Sequence, residues 1–461
     1  MQTRAAVVAL TVLGGVLRFA TLDRQSFWLD ELVTVRLLRR GFMAMLGEIP
    51  TSEATPYVYY VVGWAWTHVF GFGEAGVRSL SALAGTATIP VAYAAGAALV
   101  SRRSGLIAAA LVAVNPFLVW YSQEARAYEL FAFFSAVSLM FFARRSALPW
   151  AVASALAIAT HYFAIFLVAP MAIWRRWLVP ALIPAVVLAA HIPLLLDQRH
   201  SGQSVAQSAL RSRIAGIPKD LVVGYSFPAE LAGSLLAGAL VVVGLVLLFT
   251  RAKSRGAYVA GTLAAVAVVV PIVLAVGGAD YVIARNMIAA VVPAAVCLGA
   301  GYAVGRLGLG AGAALCCLSL AIVVSVAADP QYGRTDWRGA AHRLGVPTHA
   351  RAVVVTPDID AELWDEYLPG LQDASEAPVR EIDVVGLATQ GGFSTGAVKP
   401  PEGPPKPPPP GFRLNDVERH KTFTFVRYQA TNGHEAPVSP AQLAALRLAS
   451  DAPGLFLQRR R

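Results

Sequence analysis

The chain is 461 residues long, 56% hydrophobic and only 14% charged, with a formal net charge of +10 and a mean hydropathy of +0.57. Those values exclude an ordinary soluble globular protein. The excess of Arg and Lys does not point to nucleic acid, because much of it lies beside apolar runs, where it sets membrane orientation.

The N-terminus, MQTRAAVVALTVLGGVLRFA, has the basic start and short apolar stretch of a secretory signal. Arg18 and the lack of a small-x-small cleavage site instead predict a retained first helix. Further apolar runs predict helices near 57–72, 78–99, 105–119, 127–142, 148–160, 162–174, 177–196, 231–250, 257–276, 287–306 and 310–327. The runs do not alternate as barrel strands do, so the fold class is an α-helical polytopic membrane protein with about 11–12 transmembrane helices. Cys297, Cys316 and Cys317 all fall inside such runs, which argues against a disulfide framework or a thiolate metal site.

Positive charge orients the helices. Arg102 with Arg103, Arg144 with Arg145, Arg175 with Arg176, and Arg251 with Lys253 and Arg255 are expected to face the cytoplasm. YSQEARAY (121–128), THY (160–162), the loop 197–230 and GGADYVIARN (277–286) then share the outer side. Before residue 100 the parity does not close: either the short 57–72 run crosses incompletely or one segment is misplaced. The 197–230 loop carries Arg199, His200, Arg211, Arg213 and Lys219. Two readings stay open for it, a donor-binding or anionic-acceptor surface and plain lipid-headgroup contact.

At about residue 329 the composition changes, which divides the chain into a transmembrane module, 1–328, and a soluble extracytoplasmic α/β domain, 329–461. Strands are expected at 352–359, 379–387 and 420–430, and helices at 336–345 and 440–450. KPPEGPPKPPPPG (399–411) is a proline tract that favours extended geometry, as a spacer, a mobile loop or a proline-recognition ligand.

Ionisable groups near a membrane cost several kcal/mol unless hydrated, paired or interfacial, so their clustering on one side carries information. Asp30 and Glu31 lie on the first outer loop (21–56), Glu124 and Arg126 between Tyr121 and Tyr128, His161 at a hairpin tip, and Asp280 and Arg285 before a helix. Singly, each has another reading: Arg126 and Arg285 as interfacial anchors, His161 as a helix cap, Glu124 as a salt-bridge partner of Arg126, Asp30 as an N-cap. Together they suit glycosyl transfer from a lipid-linked sugar phosphate. The phosphate leaves without protonation if cations neutralise its charge, which suits Arg126 and Arg285. The acceptor hydroxyl needs a carboxylate, Asp30 or Glu31, to take its proton. One base and one displacement invert the anomeric centre.

SFWLDE, then residues 55–85, NPFLVWYSQEARAYEL (115–130), ATHYFAIFL (159–167), ARNMIAAVVPA (284–294) and DWRGAA (336–341) occur in order. Over roughly residues 5–345 this set resembles the C-type (GT-C) membrane glycosyltransferases, in the bacterial branch related to aminoarabinose transferases and protein O-mannosyltransferases. The resemblance implies a GT-C-like helical module and a polyprenyl-phosphate-sugar donor. It also implies catalysis by Asp30 with Glu31 beside it, and donor or substrate contacts from Arg126, Arg285 and His161; Glu124, Tyr128 and Tyr121 are further candidate donor or substrate contacts. One departure is Ala54-Thr55-Pro56, where the family often has His-Pro-Pro or Lys-Pro-Pro; this puts in doubt a basic contact there. No metal ligand set is seen and no cofactor is required, although lone carboxylates can hold a divalent ion.

The expected function is therefore an inverting glycosyltransferase of a bacterial inner membrane, working on its extracytoplasmic side. Its partners are a polyprenyl-phosphate sugar, with mannose or arabinose fitting a GC-rich bacterium, membrane lipids, and a lipid, cell-wall glycan or protein acceptor. The alternatives are a polyprenyl-lipid or small-solute transporter or flippase, and a non-catalytic membrane scaffold.

Overall fold

The computed structural model describes residues 2–199, 209–358, 364–388 and 397–459. Two compact units emerge. One comprises Met1–Leu22 with Thr34–Ser325, the other Asp23–Val33 with Val326–Arg461. The short segment Asp23–Val33, which carries the acid pair, groups with the C-terminal residues.

The helical unit contains α1 (Gln2–Phe19), the second half of α2 (Leu29–Leu38), α3 (Phe42–Ser52), α4 (Val58–Phe70), α5 (Glu74–Leu99), α6 (Arg102–Val114), α7 (Pro116–Ser122), α8 (Tyr128–Ala143) and α9 (Ala147–Thr160). It continues through α10 (Ile165–Arg175), α11 (Leu182–Ala190), α12 (Ile192–Asp197), α13 (Leu210–Val223), α14 (Glu230–Leu247), α15 (Arg255–Val276), α16 (Val291–Tyr302) and α17 (Gly305–Ala328). A 3-10 stretch, Ala284–Ala290, leads into α16.

Among the described residues six helices are long and apolar enough to cross a membrane, or seven if the bent pair α6–α7 is one span. Tyr128–Ala143, Ala147–Thr160 and Tyr162–Arg175 are shorter apolar helices. The protein is a multi-pass membrane protein, and among the described residues fewer helices are of full spanning length than the 11–12 expected. The reason is visible locally. The 177–196 run is two short helices, α11 and α12, because Pro193 cannot donate to the helical ladder and the chain turns at His191. At 13 residues α4 spans only about 20 Å. The expected loops also hold helices: α2 and α3 lie within 21–56, and α13 within 197–230.

The break between α6 and α7 has a traceable cause. Asn115 accepts from the Leu118 N–H at 2.8 Å, Pro116 opens α7, and the two helices meet at 56°. Because Pro116 has no N–H, the Val112 carbonyl loses its helical donor. Arg18, fully buried in the last turn of α1, supplies one: its guanidinium donates to Val112 O (3.1 Å), Ala113 O (2.9 Å), Gly14 O (3.0 Å) and Ser122 Oγ (3.0 Å). Elsewhere small residues set helix spacing: a Cβ on Gly96 of α5 would lie 2.8 Å from Gly105 Cα of α6.

The C-terminal unit is built on a six-stranded sheet, with strands β1 (Arg351–Thr356), β2 (Leu371–Asp373), β4 (Glu381–Leu387), β5 (Phe412–Arg419), β6 (Phe423–Ala430) and β8 (Gly454–Gln458). Their order is β2-β8-β1-β4-β6-β5, parallel only between β1 and β4. A small pair, β3 (Ala377–Val379) and β7 (Ala436–Val438), stands apart. Alternation along β1 sends Val353 and Val355 into a core with α18 (Trp337–Leu344), Trp364 and Phe425, and Ala352 and Val354 into a core with Leu443 of α19 (Pro440–Ala445). Arg351, Asp383 and Arg427 form a charged cluster across β1, β4 and β6: Asp383 accepts from Arg427 Nε at 2.7 Å and from Arg351 Nη1 at 3.2 Å. The proline tract lies along this sheet, where Pro401 O accepts from Thr424 Oγ1 (2.7 Å) and Lys406 O from the Tyr428 hydroxyl (2.7 Å).

Candidate functional site

Within the helical unit, Tyr128 at the start of α8 is the hub of the candidate residues. The Arg285 guanidinium lies over its ring, 5.4 Å from the centroid. Tyr121 of α7 packs edge-on at 5.1 Å, and His161 at the C-cap of α9 lies 5.8 Å away. His161 stacks on Phe131 at 4.7 Å, its Nδ1 accepts from the Phe163 N–H (3.2 Å), and it is within hydrogen-bonding reach of Asn286. The Tyr121 hydroxyl bonds that of Tyr225, and the buried Glu124 lies within electrostatic reach of both phenols. Five of the sequence candidates, Tyr121, Glu124, Tyr128, His161 and Arg285, are thus brought together.

Arg126 is held differently. Its Nη1 lies 2.8 Å from Glu53 Oε2, 3.0 Å from Glu53 Oε1 and 2.8 Å from Thr34 Oγ1, with all three residues buried. Sequence reasoning missed Glu53. The available signal was a lone carboxylate in PTSEATP, the very stretch that lacks the basic residue of the resembling family. Thr55 in this stretch bonds the Tyr60 hydroxyl at 2.9 Å, and its carbonyl accepts from Gln198 (3.2 Å).

α13 buttresses the surrounding loops. Arg213 donates to Asp280 Oδ1 (2.8 Å) and Val282 O (2.7 Å), so a basic residue of the 197–230 stretch and a candidate carboxylate neutralise each other. The Arg213 hydrogen bonds hold the Asp280 carboxyl below its ordinary range. Lys219 bridges Asp220 (3.2 Å) and Glu230 (2.9 Å), and burial pushes the Asp220 carboxyl up to about 6. Of the basic groups read from sequence as a possible donor or headgroup surface, Arg213 and Lys219 are internal pairs.

Asp30 and Glu31 occupy the first turn of α2, where the helix dipole favours carboxylates. Their environments differ. Glu31 is fully buried, and its Oε2 accepts from the Trp28 N–H at 3.2 Å, the reach-back half of a capping box. Asp30 is half-exposed. The preceding residues are anchored within the C-terminal unit. The Phe27 N–H donates to the Tyr367 hydroxyl (2.6 Å), Ser26 Oγ donates to Thr335 O (2.8 Å) and accepts from the Trp337 N–H (3.1 Å), and Gln25 Oε1 accepts from the Arg334 N–H (2.9 Å).

Among the described residues no group of three or more His, Cys, Asp or Glu side chains is placed to hold a metal ion.

No family model and no curated protein matches the sequence. Solved structures do: the chain is similar to ArnT from Cupriavidus metallidurans in the apo state, with a TM-score of 0.52 at 13% identity over 93% of this chain and 98% of that one. The chain has the GT-C fold. The same ArnT bound to undecaprenyl phosphate matches with a TM-score of 0.49 at 13% identity, over 91% of this chain and 97% of that one. The archaeal oligosaccharyltransferase AglB from Archaeoglobus fulgidus, in complex with an inhibitory peptide and a dolichol-phosphate, matches at 0.46 and 12% identity, over 76% of this chain and 58% of that one. In this GT-C chain the aromatic and basic cluster stands at the N-terminal end of α8, and the acid pair at the N-terminal turn of α2.

Proposed function

We propose that the protein is an inverting glycosyltransferase that moves a sugar from a polyprenyl-phosphate donor to an acceptor on the extracytoplasmic face of a bacterial plasma membrane. The observation that carries this reading is the cluster around Tyr128. Arg285 lies over the Tyr128 ring, and a guanidinium is the side chain whose charge and planar fork suit a phosphate. Buried phenols, an imidazole and a carboxylate beside it provide hydrogen-bonding groups for a sugar phosphate. The GT-C fold agrees with a membrane-borne substrate, and the acid turn provides the base.

In the reaction the acceptor O–H gives its proton to the Asp30 carboxylate as its oxygen bonds to the anomeric carbon. The bond from that carbon to the phosphate oxygen breaks, its electron pair stays on the phosphate, and Arg285 compensates the developing charge. Asp30 is the better candidate of the two acids because Glu31 is buried and committed to the helix cap. Mannose or arabinose as the sugar, and a lipid, cell-wall glycan or protein as acceptor, complete the proposal.

The test is transfer from radiolabelled polyprenyl-phosphate sugars by purified protein and its Asp30→Asn variant. Transfer by the wild type that the variant loses supports the reading. Undiminished transfer by the variant removes Asp30 as base, and a wild type inactive with every donor favours a transporter or scaffold.

A further inference from the structure

The residues that lead into the acid pair are held by the C-terminal domain. Arg338 Nη2 donates to Asp23 O (2.6 Å) and Arg24 O (3.0 Å), and the Arg334 N–H to Gln25 Oε1. Ser26 Oγ is threaded into the turn before α18, donating to Thr335 O and accepting from the Trp337 N–H. Phe27, fully buried, gives its N–H to Tyr367. Five consecutive residues, 23–27, are thus gripped immediately before the turn that bears Asp30 and Glu31.

The gripping elements are themselves stiff. Asp336 caps α18, accepting from the Gly339 N–H (2.9 Å), and it also accepts from Thr422 Oγ1 (3.1 Å) on the rim of the sheet. Trp337 packs edge-on against Trp364, centroids 5.0 Å apart, in the core under β1. Tyr367 follows Trp364 in a single turn closed by the Tyr367 N–H to Trp364 O bond (2.9 Å), and its ring packs on the same core. The grip therefore transmits the rigidity of a packed sheet domain to a surface loop.

We infer that the C-terminal domain positions the catalytic carboxylate, and that Tyr367 and Ser26 are its positioning residues. This rests on the reading of Asp30 as base. A base must meet the acceptor hydroxyl at hydrogen-bond distance, and a loop free to shift by an ångström forfeits much of its rate. The DWRGAA stretch (336–341) thereby acquires a role as a clamp on the loop rather than as a contact to substrate.

The test uses full-length protein carrying Tyr367→Phe or Ser26→Ala, which remove one hydroxyl and leave the packed ring or backbone. Two readouts are taken, transfer kinetics and amide hydrogen exchange across residues 23–33. The expected result is a kcat about tenfold lower with the donor KM unchanged, together with faster exchange at Phe27 and unaltered exchange in the sheet. In an Asp30→Asn background Tyr367→Phe is expected to lower the residual rate no further. The inference is overturned if both variants keep wild-type kcat, if exchange across 23–33 does not change, or if Tyr367→Phe costs as much without Asp30 as with it. Failure of the underlying reading looks different: the wild type transfers no sugar, while the exchange measurement still decides whether the clamp exists.

Discussion

Arg126 and Glu53 close on each other inside the helical unit, one guanidinium nitrogen lying 2.8 and 3.0 Å from the two carboxylate oxygens, with the Thr34 hydroxyl completing the set at 2.8 Å. A cation that looks from sequence like a free phosphate ligand is thus bound by a buried acid. Removing one member of such a pair is costly because the other is left charged and dry. Glu53→Gln is expected to destabilise the protein by about 3 kcal/mol, read as a lower unfolding midpoint in detergent. Arg126→Gln in addition is expected to recover part of that loss, since no charge then remains. A Glu53→Gln protein as stable as wild type contradicts this view of the pair.

The two carboxylates of α2 are expected to separate in kinetics. Asp30→Asn lowers kcat by about 10²- to 10⁴-fold, the usual weight of a general base. In Glu31→Gln the amide oxygen still accepts from the Trp28 N–H, so the loss is far smaller, whereas Glu31→Ala removes the cap and costs about 1 kcal/mol of stability. Steady-state transfer rates decide it: a Glu31→Gln enzyme as slow as Asp30→Asn reverses the assignment.

Arg285 is expected to act on the donor. Arg285→Ala raises the donor KM about tenfold or more, as loss of a charge-assisted hydrogen bond does, and leaves the acceptor KM unchanged. Arg285→Lys restores only part of the affinity, because an ammonium lacks the fork and the flat face that lies over Tyr128. A donor KM unaltered in both variants rules out the contact.

Glu381 makes the C-terminal unit sensitive to pH. Burial first, and then the charge of Asp383, push its carboxyl up to about 7, against which Arg427 at 3.2 Å acts only partly. A carboxyl whose value is raised on folding takes up protons on folding. Its favourable contribution is complete below about 4.5, its unfolded value, and is lost as pH rises through about 7. Glu381→Gln abolishes that loss. The stability difference, followed by exchange of the β4 amides, is expected to move in favour of the variant between pH 4.5 and 7 and to stay flat above. A pH-independent difference is the contrary result.

Much of the architecture was readable because it follows from composition along the chain. A run of apolar residues must be helical in hydrocarbon whatever lies beside it. The strands around 353, 384 and 426 likewise announce themselves as β-branched and aromatic runs. Less readable were β5, whose exposed face is polar, and β8, a five-residue strand near the C-terminus. The 177–196 run shows the limit of hydropathy, since its average is apolar throughout while Pro193 sits at the break between α11 and α12.

What the sequence determined by itself was the helical membrane class with a small C-terminal sheet domain, because these depend on residue type and local order. Which side chains meet was decided only by tertiary structure. Glu53 and Arg126 are 73 positions apart, Ser26 and Trp337 are 311 apart, and Phe27 and Tyr367 are 340 apart. No local pattern records such pairings, because each is set by how two distant elements pack, and it is packing that buries Glu31 as a helix cap while leaving Asp30 half-exposed.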